Sequence, residues 1–510
     1  MALPRRANPD RRLSWLCRFI EVVAVWAGIG TGGLWAGGRE WTMLTTPRFS
    51  VVSQLGERET TAWAEEFSQF IRALRDVIRV DESRLPPLTI VLFADKKEFA
   101  AFQPVGARIK PDRIASAFFG NLESWSVVGL YLQPTDDATR RVIYHEAVHW
   151  YMTASAEEYP AWIEEGMAEV FSTFTMDEKQ ASWGRGIDAH VSLLHHTSLM
   201  MFQRLVQAGP DDPLFNEAER VGIFYAQSWA LVHYLLFANQ PRPSLGIQSY
   251  LSSVRKGEPL DVAFQQAFGV NYGQMTRQLK TYLREGEYRV VSWPRPAPET
   301  FEFSVQRAMQ TDVTVACARL ALGGKRVDVA RKYVNMAARI APESATTFEL
   351  LARLEYWNGR WKEAGAAATH AIALGTKDAI TYCVAASVVG MEAGKTGDFR
   401  AAADLLEQAI ALQPSLKSAY LALAKMLGRV DPLRPEDLQV VADGHRKFFD
   451  DGSFALGAAL AVEKLHDTEE ALRLVRLART RGLSGSQRSQ AAELEARLSA
   501  ATPGDAAAEK

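Results

Sequence analysis

Between residues 48 and 135 the apolar positions follow two different periods. Arg48–Gln54 alternates as a strand does, whereas Thr60–Arg79 places apolar residues three and four apart, the spacing of an amphipathic helix. The unbroken apolar run Leu88–Phe93, after Pro86 and Pro87, predicts a buried strand. Ala117–Phe119 and Val127–Leu132 predict two further strands, joined through Gly120 and Asn121. From residue 136 to about 290 the period is helical, interrupted by the turn-rich stretch Gly209–Pro213. Thr135 and Asp136, just after Pro134, are good N-cap residues for the first of these helices. The segment Trp293–Pro298, with three prolines in six residues, predicts a semi-rigid linker and a domain boundary.

Beyond the linker the pattern repeats. Ala330 and Ala337 return as Ala364 and Ala371, 34 residues on, and as Ala402 and Ala409 after a step of 38. Ala471 and Ala478 keep the same separation of seven, and Pro342 and Pro414 end two of the units. Small residues where paired helices cross, at a period of 34, resemble the tetratricopeptide repeat, here degenerate, as in Leu351–Trp361 followed by Ala364. That resemblance implies an all-α superhelix with a concave face for a peptide or protein partner. Residues 416–470 fit the period poorly and predict an irregular pair.

A chain of 510 residues exceeds what one core serves, and 47% hydrophobic residues suffice for ordinary globular domains. The net charge of −2 and the lack of a basic, aromatic-interleaved stripe argue against nucleic acid as a partner. Cys17, Cys317 and Cys383 have no metal-ligand spacing, so neither a disulfide framework nor a cysteine-zinc site is expected. At the amino end, Arg5, Arg6, Arg11 and Arg12 precede the apolar run Val22–Ala36. That is the shape of a signal peptide or signal anchor, so export to the periplasm or beyond is expected, with any membrane anchoring through this segment alone. The predicted division is 1–40 leader or anchor, 41–135 αβ region, 136–292 helical region, 293–303 linker, 304–500 helical repeats and 501–510 disordered tail.

The candidate chemistry lies in the helical region. His145-Glu146-Ala147-Val148-His149 is an H-E-x-x-H pentapeptide, and on a helix residues four apart share a face. Both imidazoles can bind one Zn²⁺ while Glu146 activates a water in the open coordination position. A third protein ligand is needed. The segment Pro160–Glu169 offers Glu165, with fifteen residues between it and His149, on a second helix able to pack over the first. Glu169, four residues further on the same face, is placed to accept a hydrogen bond from a ligand imidazole. Gly166 interrupts this helix and suggests a close backbone approach.

Taken together, H-E-x-x-H followed by Trp162-Ile163-Glu164-Glu165-Gly166-Met167-Ala168 resembles the gluzincin zinc peptidases, whose second helix reads W-x-x-E-G-x-A. The resemblance implies Zn²⁺ held by His145, His149 and Glu165, with Glu146 as general base in peptide-bond hydrolysis. Alanyl aminopeptidases carry G-x-M-E-N before the zinc helix, whereas Ser126–Leu132 contains no acidic residue. The chain is more similar to the bacterial peptidase MA-like proteins, over about residues 48–290, which implies a gluzincin-type α+β domain followed by helical repeats.

Two further roles follow from the same resemblance. Phe224–Leu235 is helical in period, and its opening resembles the Y-E-K-G helix of the aminopeptidases, with Ser228 in place of the glycine. Tyr225 would then donate a hydrogen bond to the oxyanion, with His233 behind it. The last strand before the zinc helix would be an exposed edge, so that Val127, Val128, Gly129 and Leu130 would pair with an extended substrate. Other hydrolysis with the same water and base would act on a non-peptide acyl bond. A contrasting reading makes the protein a non-catalytic adaptor on a peptidase-like scaffold.

Overall fold

The computed structural model describes residues 40–104, 117–121, 123–131, 137–155, 159–209, 218–238, 243–295, 302–448, 451–481, 483 and 485–501. The expected leader or anchor (save Glu40), the cap at Thr135 and Asp136, the loop after Gly209 and the tail after Ala501 lie outside them. No helix among the described residues is long and apolar enough to cross a membrane.

The αβ region contributes β1 (Thr42–Thr45), β2 (Phe49–Ser53), α1 (Glu57–Val77), β3 (Leu88–Phe93), α2 (Lys96–Ala100), β4 (Ala117–Asn121) and β5 (Ser126–Tyr131). All six positions of β3 are buried, because the sheet is covered on both faces. Alternation sorts the side chains. Val51, Ile90 and Val128 join α1 residues Phe67 and Phe70 in one core, while Val52, Val91 and Val127 face the other way.

Next come α3 (Asp137–Met152), α4 (Ala161–Phe171), β6 (Thr175–Met176), β7 (Gln180–Trp183), α5 (Asp188–His196), α6 (Phe202–Gln207), α7 (Ala218–Phe237), α8 (Pro243–Arg255), α9 (Leu260–Phe268) and α10 (Tyr272–Glu285). The core under α1 continues into this helical region through Tyr144, Val148, Ile163 and Trp229.

The linker is built into the fold at both ends. β8 (Val291–Pro294) pairs with β7 in a three-stranded sheet ordered β6-β7-β8, with Trp293 opposite Ala181. β9 (Ser304–Arg307) pairs antiparallel with β1, completing a six-stranded sheet ordered β4-β5-β3-β2-β1-β9. A short alternating strand carries little local signal when prolines flank it; only its partner strand shows it.

The sheet order also corrects the expected substrate strand. Val127, Val128, Gly129 and Leu130 are not on an edge: β5 is parallel to β3 on one side and antiparallel to β4 on the other. Its backbone groups are satisfied within the sheet. β4 is the edge, and Gly120 and Asn121 belong to it rather than to a turn.

The repeats begin with α11 (Gln310–Gly323), which lies on the second face of the sheet, its Val313, Cys317 and Leu320 packing with Val52, Val91 and Val127. Four more hairpins follow its pairing with α12 (Val327–Ile340): α13 (Ala345–Trp357) with α14 (Trp361–Ala373), α15 (Ala379–Thr396) with α16 (Arg400–Leu412), α17 (Lys417–Leu427) with α18 (Pro435–Lys447), and α19 (Gly452–Glu463) with α20 (Thr468–Thr480). α21 (Gly485–Ala501) closes the stack against α20. The alanine pairs at 330/337, 364/371, 402/409 and 471/478 are all buried on the second helix of a hairpin. Residues 416–470 contain a hairpin too, with Asp437 and Gly444 seven apart in the corresponding places on α18. Asp437 is fully buried and tied to the Arg400 guanidinium at 2.8 Å; a methyl at Gly444 would meet Phe454 at 2.5 Å.

Candidate metal centre

α3 buries Tyr144, Ala147, Val148 and Tyr151 and leaves a half-buried stripe of Arg141, His145, Glu146 and His149. α4 buries Trp162, Ile163, Met167, Val170 and Phe171, which turns Glu164, Glu165 and Glu169 toward that stripe. Helical spacing on two facing helices is thus what assembles the cluster.

His145, His149 and Glu165 form a group whose ligand atoms lie within 4.8 Å of one another. The two Nε2 atoms are 3.2 Å apart. Glu165 Oε2 is 3.3 Å from His145 Nε2 and 3.5 Å from His149 Nε2. Zinc bonds of about 2.0–2.2 Å require donors about 3.3–3.6 Å apart in a tetrahedral site, so the triangle has the edge lengths of such a site. Glu165 Oε2 is moreover buried with no hydrogen bond of its own. Three lone-pair atoms facing one another, one of them buried and unsatisfied, fit a cation at their centre.

The far sides of the imidazoles are held as well. His145 Nδ1 lies 3.3 Å from Glu169 Oε1, and His149 Nδ1 lies 3.0 Å from Glu164 Oε1. A carboxylate at Nδ1 keeps the proton there and turns the Nε2 lone pair toward the centre. Glu169 is itself pinned by His190 of α5, at 3.0 Å, and by Arg141, at 3.5 Å. Glu164, one residue before the expected ligand, has its side chain 35% exposed against 13% for Glu169. The sequence pattern assigns no role to Glu164 or to His190. Arg141 was legible as the residue one turn before His145; His190, on another helix, had no local signal.

Electrostatics point to the same need for positive charge. Burial lowers the affinity of His145 for a proton, but Glu165 and Glu169 outweigh it and raise the pKa to about 9. His149 is raised well above its usual value against the same burial, by Glu164 and Glu165. Burial raises Glu165, yet its contacts with both imidazoles bring it to about 2, and Glu169 is held below the carboxylate range by His145 and His190.

α7 brings Tyr225 to this group. Its ring centre is 6.1 Å from that of His145, and its phenol pKa is raised by burial first and by the charges of Glu165, Glu146 and Glu169 next, so the hydroxyl remains a donor. Gly166 permits the approach of α4 to α7: a methyl there would lie 2.4 Å from Val232 Cγ2 and 2.6 Å from the Ser228 carbonyl oxygen. His233 stands elsewhere. It is buried between the Tyr282 hydroxyl, 2.6 Å from Nδ1, and the Gly184 carbonyl, 2.7 Å from Nε2, and burial lowers its pKa to about 4. His195 and His196 are exposed and away from the cluster, bonded to the Leu283 and Ser192 carbonyls.

Comparison with known proteins covers both halves. Residues 139–261, which hold His145, His149, Glu165 and Tyr225, match a family described as a protein of unknown function (DUF1570). No curated protein matches the chain. Among solved structures, a tetratricopeptide protein with an unusual peptide-binding site, YrrB, is 16% identical, with 35% of this chain and 90% of that one covered and a TM-score of 0.31. The MamA protein is 19% identical over 36% and 94%, with a TM-score of 0.28. PilF of Pseudomonas aeruginosa is 18% identical over 38% and 92%, with a TM-score of 0.28. The chain is an α+β protein with a run of paired helical hairpins after residue 309, and over residues 139–261 it is similar to a family of unknown function.

Proposed function

We infer that the chain is a zinc-dependent hydrolase of peptide bonds with a gluzincin-type site. The observation that carries this is the triangle of His145 Nε2, His149 Nε2 and Glu165 Oε2, with edges of 3.2, 3.3 and 3.5 Å. A zinc ion held by these three residues would act as a Lewis acid on the scissile carbonyl and make water a better nucleophile at neutral pH. Glu146, next to His145 on α3 and half-buried, takes the proton from the attacking water and returns it to the leaving amine. Tyr225 donates to the oxyanion as charge develops, an interaction that strengthens only along the reaction path. Glu164 and Glu169 hold the imidazoles in the tautomer that binds. An extended substrate has β4, the edge strand that α3 touches, as its pairing partner in place of β5. The repeats engage a protein or peptide partner, and the arginine-led segment within residues 1–40 directs export.

Metal analysis of the purified chain should find about one zinc per molecule, and Glu165→Gln should lose most of it. Glu146→Gln should keep the zinc and lose turnover of a mixed fluorogenic peptide library. A metal-free wild type, or a Glu146→Gln protein as active as wild type, would overturn the reading.

A further inference from the structure

The two halves of the chain meet where α11 crosses the sheet, and the contact is backbone-close. A methyl added at Gly120 of β4 would lie 2.6 Å from Gly323 Cα, and one at Gly129 of β5 would lie 2.6 Å from Leu320 Cδ1. Two glycines in adjacent strands let the helix settle directly onto the sheet. Beside this contact, residues 123–125, which lead into β5, reach across three successive hairpins of the array.

Trp125, 4% exposed, lies between two guanidiniums: Arg319 of α11 at 5.1 Å from its ring centre and Arg353 of α13 at 4.8 Å. Ser124 Oγ accepts from Arg353 at 2.8 Å and bonds to Asp378, the N-cap of α15, whose carboxylate oxygens are each 3.3 Å from Arg353. Gln413, just past α16, donates to the Glu123 carbonyl at 2.8 Å. Burying two guanidiniums side by side is costly unless both are compensated. Here the Ser124 hydroxyl, Asp378 and the ring of Trp125 compensate Arg353, while Arg319 has the same ring and the Thr89 hydroxyl, 3.3 Å from its Nη1. Arg319, Arg353 and Asp378 come from the first helices of three consecutive hairpins, a polar ladder suited to gripping a segment of chain, and the segment it grips belongs to the sheet.

We propose that this face of the first three helical hairpins is a docking surface whose occupant is the chain's own segment Glu123–Trp125, which leads into β5, and that docking holds the edge strand β4 in place beside α3. The array is then a brace for the sheet as well as a recruiting module. An outside peptide that used Arg319, Arg353 and Asp378 would have to displace that segment. The docking stands on contacts that need no metal; only its consequence for substrate pairing rests on the function proposed above.

Hydrogen exchange followed by mass spectrometry on the full chain tests this. Trp125→Ala should raise exchange in the peptides covering 117–121 and 126–131 by about tenfold or more, the signature of a local opening, with α1 and α19–α21 unchanged. Arg353→Lys, which keeps charge but loses the stacked fork, should give a smaller rise over the same peptides. A folded Trp125→Ala chain that exchanges there at the wild-type rate overturns the proposal. If Trp125→Ala does not fold, Arg353→Lys and Gln413→Ala decide, and flat profiles in both overturn it equally. Zinc content is measured on the same samples: an exchange response in a chain that binds no zinc supports the docking and sinks the metal reading alone.

Discussion

Replacing Gly166 by alanine tests the link between helix packing and the proposed metal site. The added methyl would lie 2.6 Å from the Ser228 carbonyl oxygen, 3.0 Å from its carbon and 2.4 Å from Val232 Cγ2. Unstrained carbon contacts are about 3.5–4.0 Å, so α4 and α7 must separate by more than about 0.5 Å. Val232 can turn aside, but the carbonyl of Ser228 is part of a helix and cannot. Overpacking of this kind costs about 1–3 kcal/mol. The site should suffer beyond that, because Glu165 precedes Gly166 on α4 while Tyr225 lies on α7, and such constellations tolerate about 0.5 Å of misplacement. Zinc affinity by chelator competition should fall about tenfold or more, and the thermal transition should move down. Gly222→Ala on α7 is the control, since its methyl would meet only Leu193 Cδ2, at an ordinary 3.7 Å. A Gly166→Ala protein with wild-type zinc affinity and melting would refute the claim that this glycine sets the helix spacing.

Three further outcomes are expected. Glu169→Gln and Glu164→Gln should each weaken zinc binding within about 10–100-fold, Glu169→Gln more, because Glu169 is only 13% exposed and pinned by His190 and Arg141 while Glu164 is 35% exposed; equal wild-type affinities in chelator titrations would argue against orientation through Nδ1. Tyr225→Phe should retain zinc and lower kcat by about 10²–10³-fold if it serves the oxyanion, and an unchanged kcat would return Tyr225 to a packing role. His233, neutral and buried, has a folded pKa of about 4 against about 6.5 unfolded. The unfolded chain therefore takes up the proton first as pH falls, and the stability present above pH 6.5 is lost progressively down to about pH 4, by about 3 kcal/mol at most. Urea unfolding at pH 7 and 5 should show a loss that is smaller in His233→Gln; an equal loss in both would remove His233 as its source.

The site was legible wherever a local period carried it. His145 and His149 share a face because they are four apart on one helix, and Glu165 and Glu169 do so on the next. The buried alanine pairs at 330/337 and 364/371 mark helix crossings for the same reason. The fourth hairpin reads in sequence only as an irregular pair because Asp437 and Gly444 occupy those places, and an aspartate satisfied by Arg400 cannot be told in sequence from a surface one.

Contacts between distant parts of the chain were settled only by the fold. The run Val127–Leu130 reads as a strand at any position in a sheet; whether it is an edge depends on whether β4 pairs with it, since backbone hydrogen bonds carry no side-chain signature. The stretch from Trp293 reads as a linker because prolines dominate locally, while Trp293 itself lies in a strand paired with β7 and the strand that follows the stretch pairs with β1. His190 reaches Glu169, and Trp125 reaches Arg319 and Arg353, across separations that no periodicity spans. Helical spacing fixes which residues can share a face, and packing of one element on another chooses which faces meet.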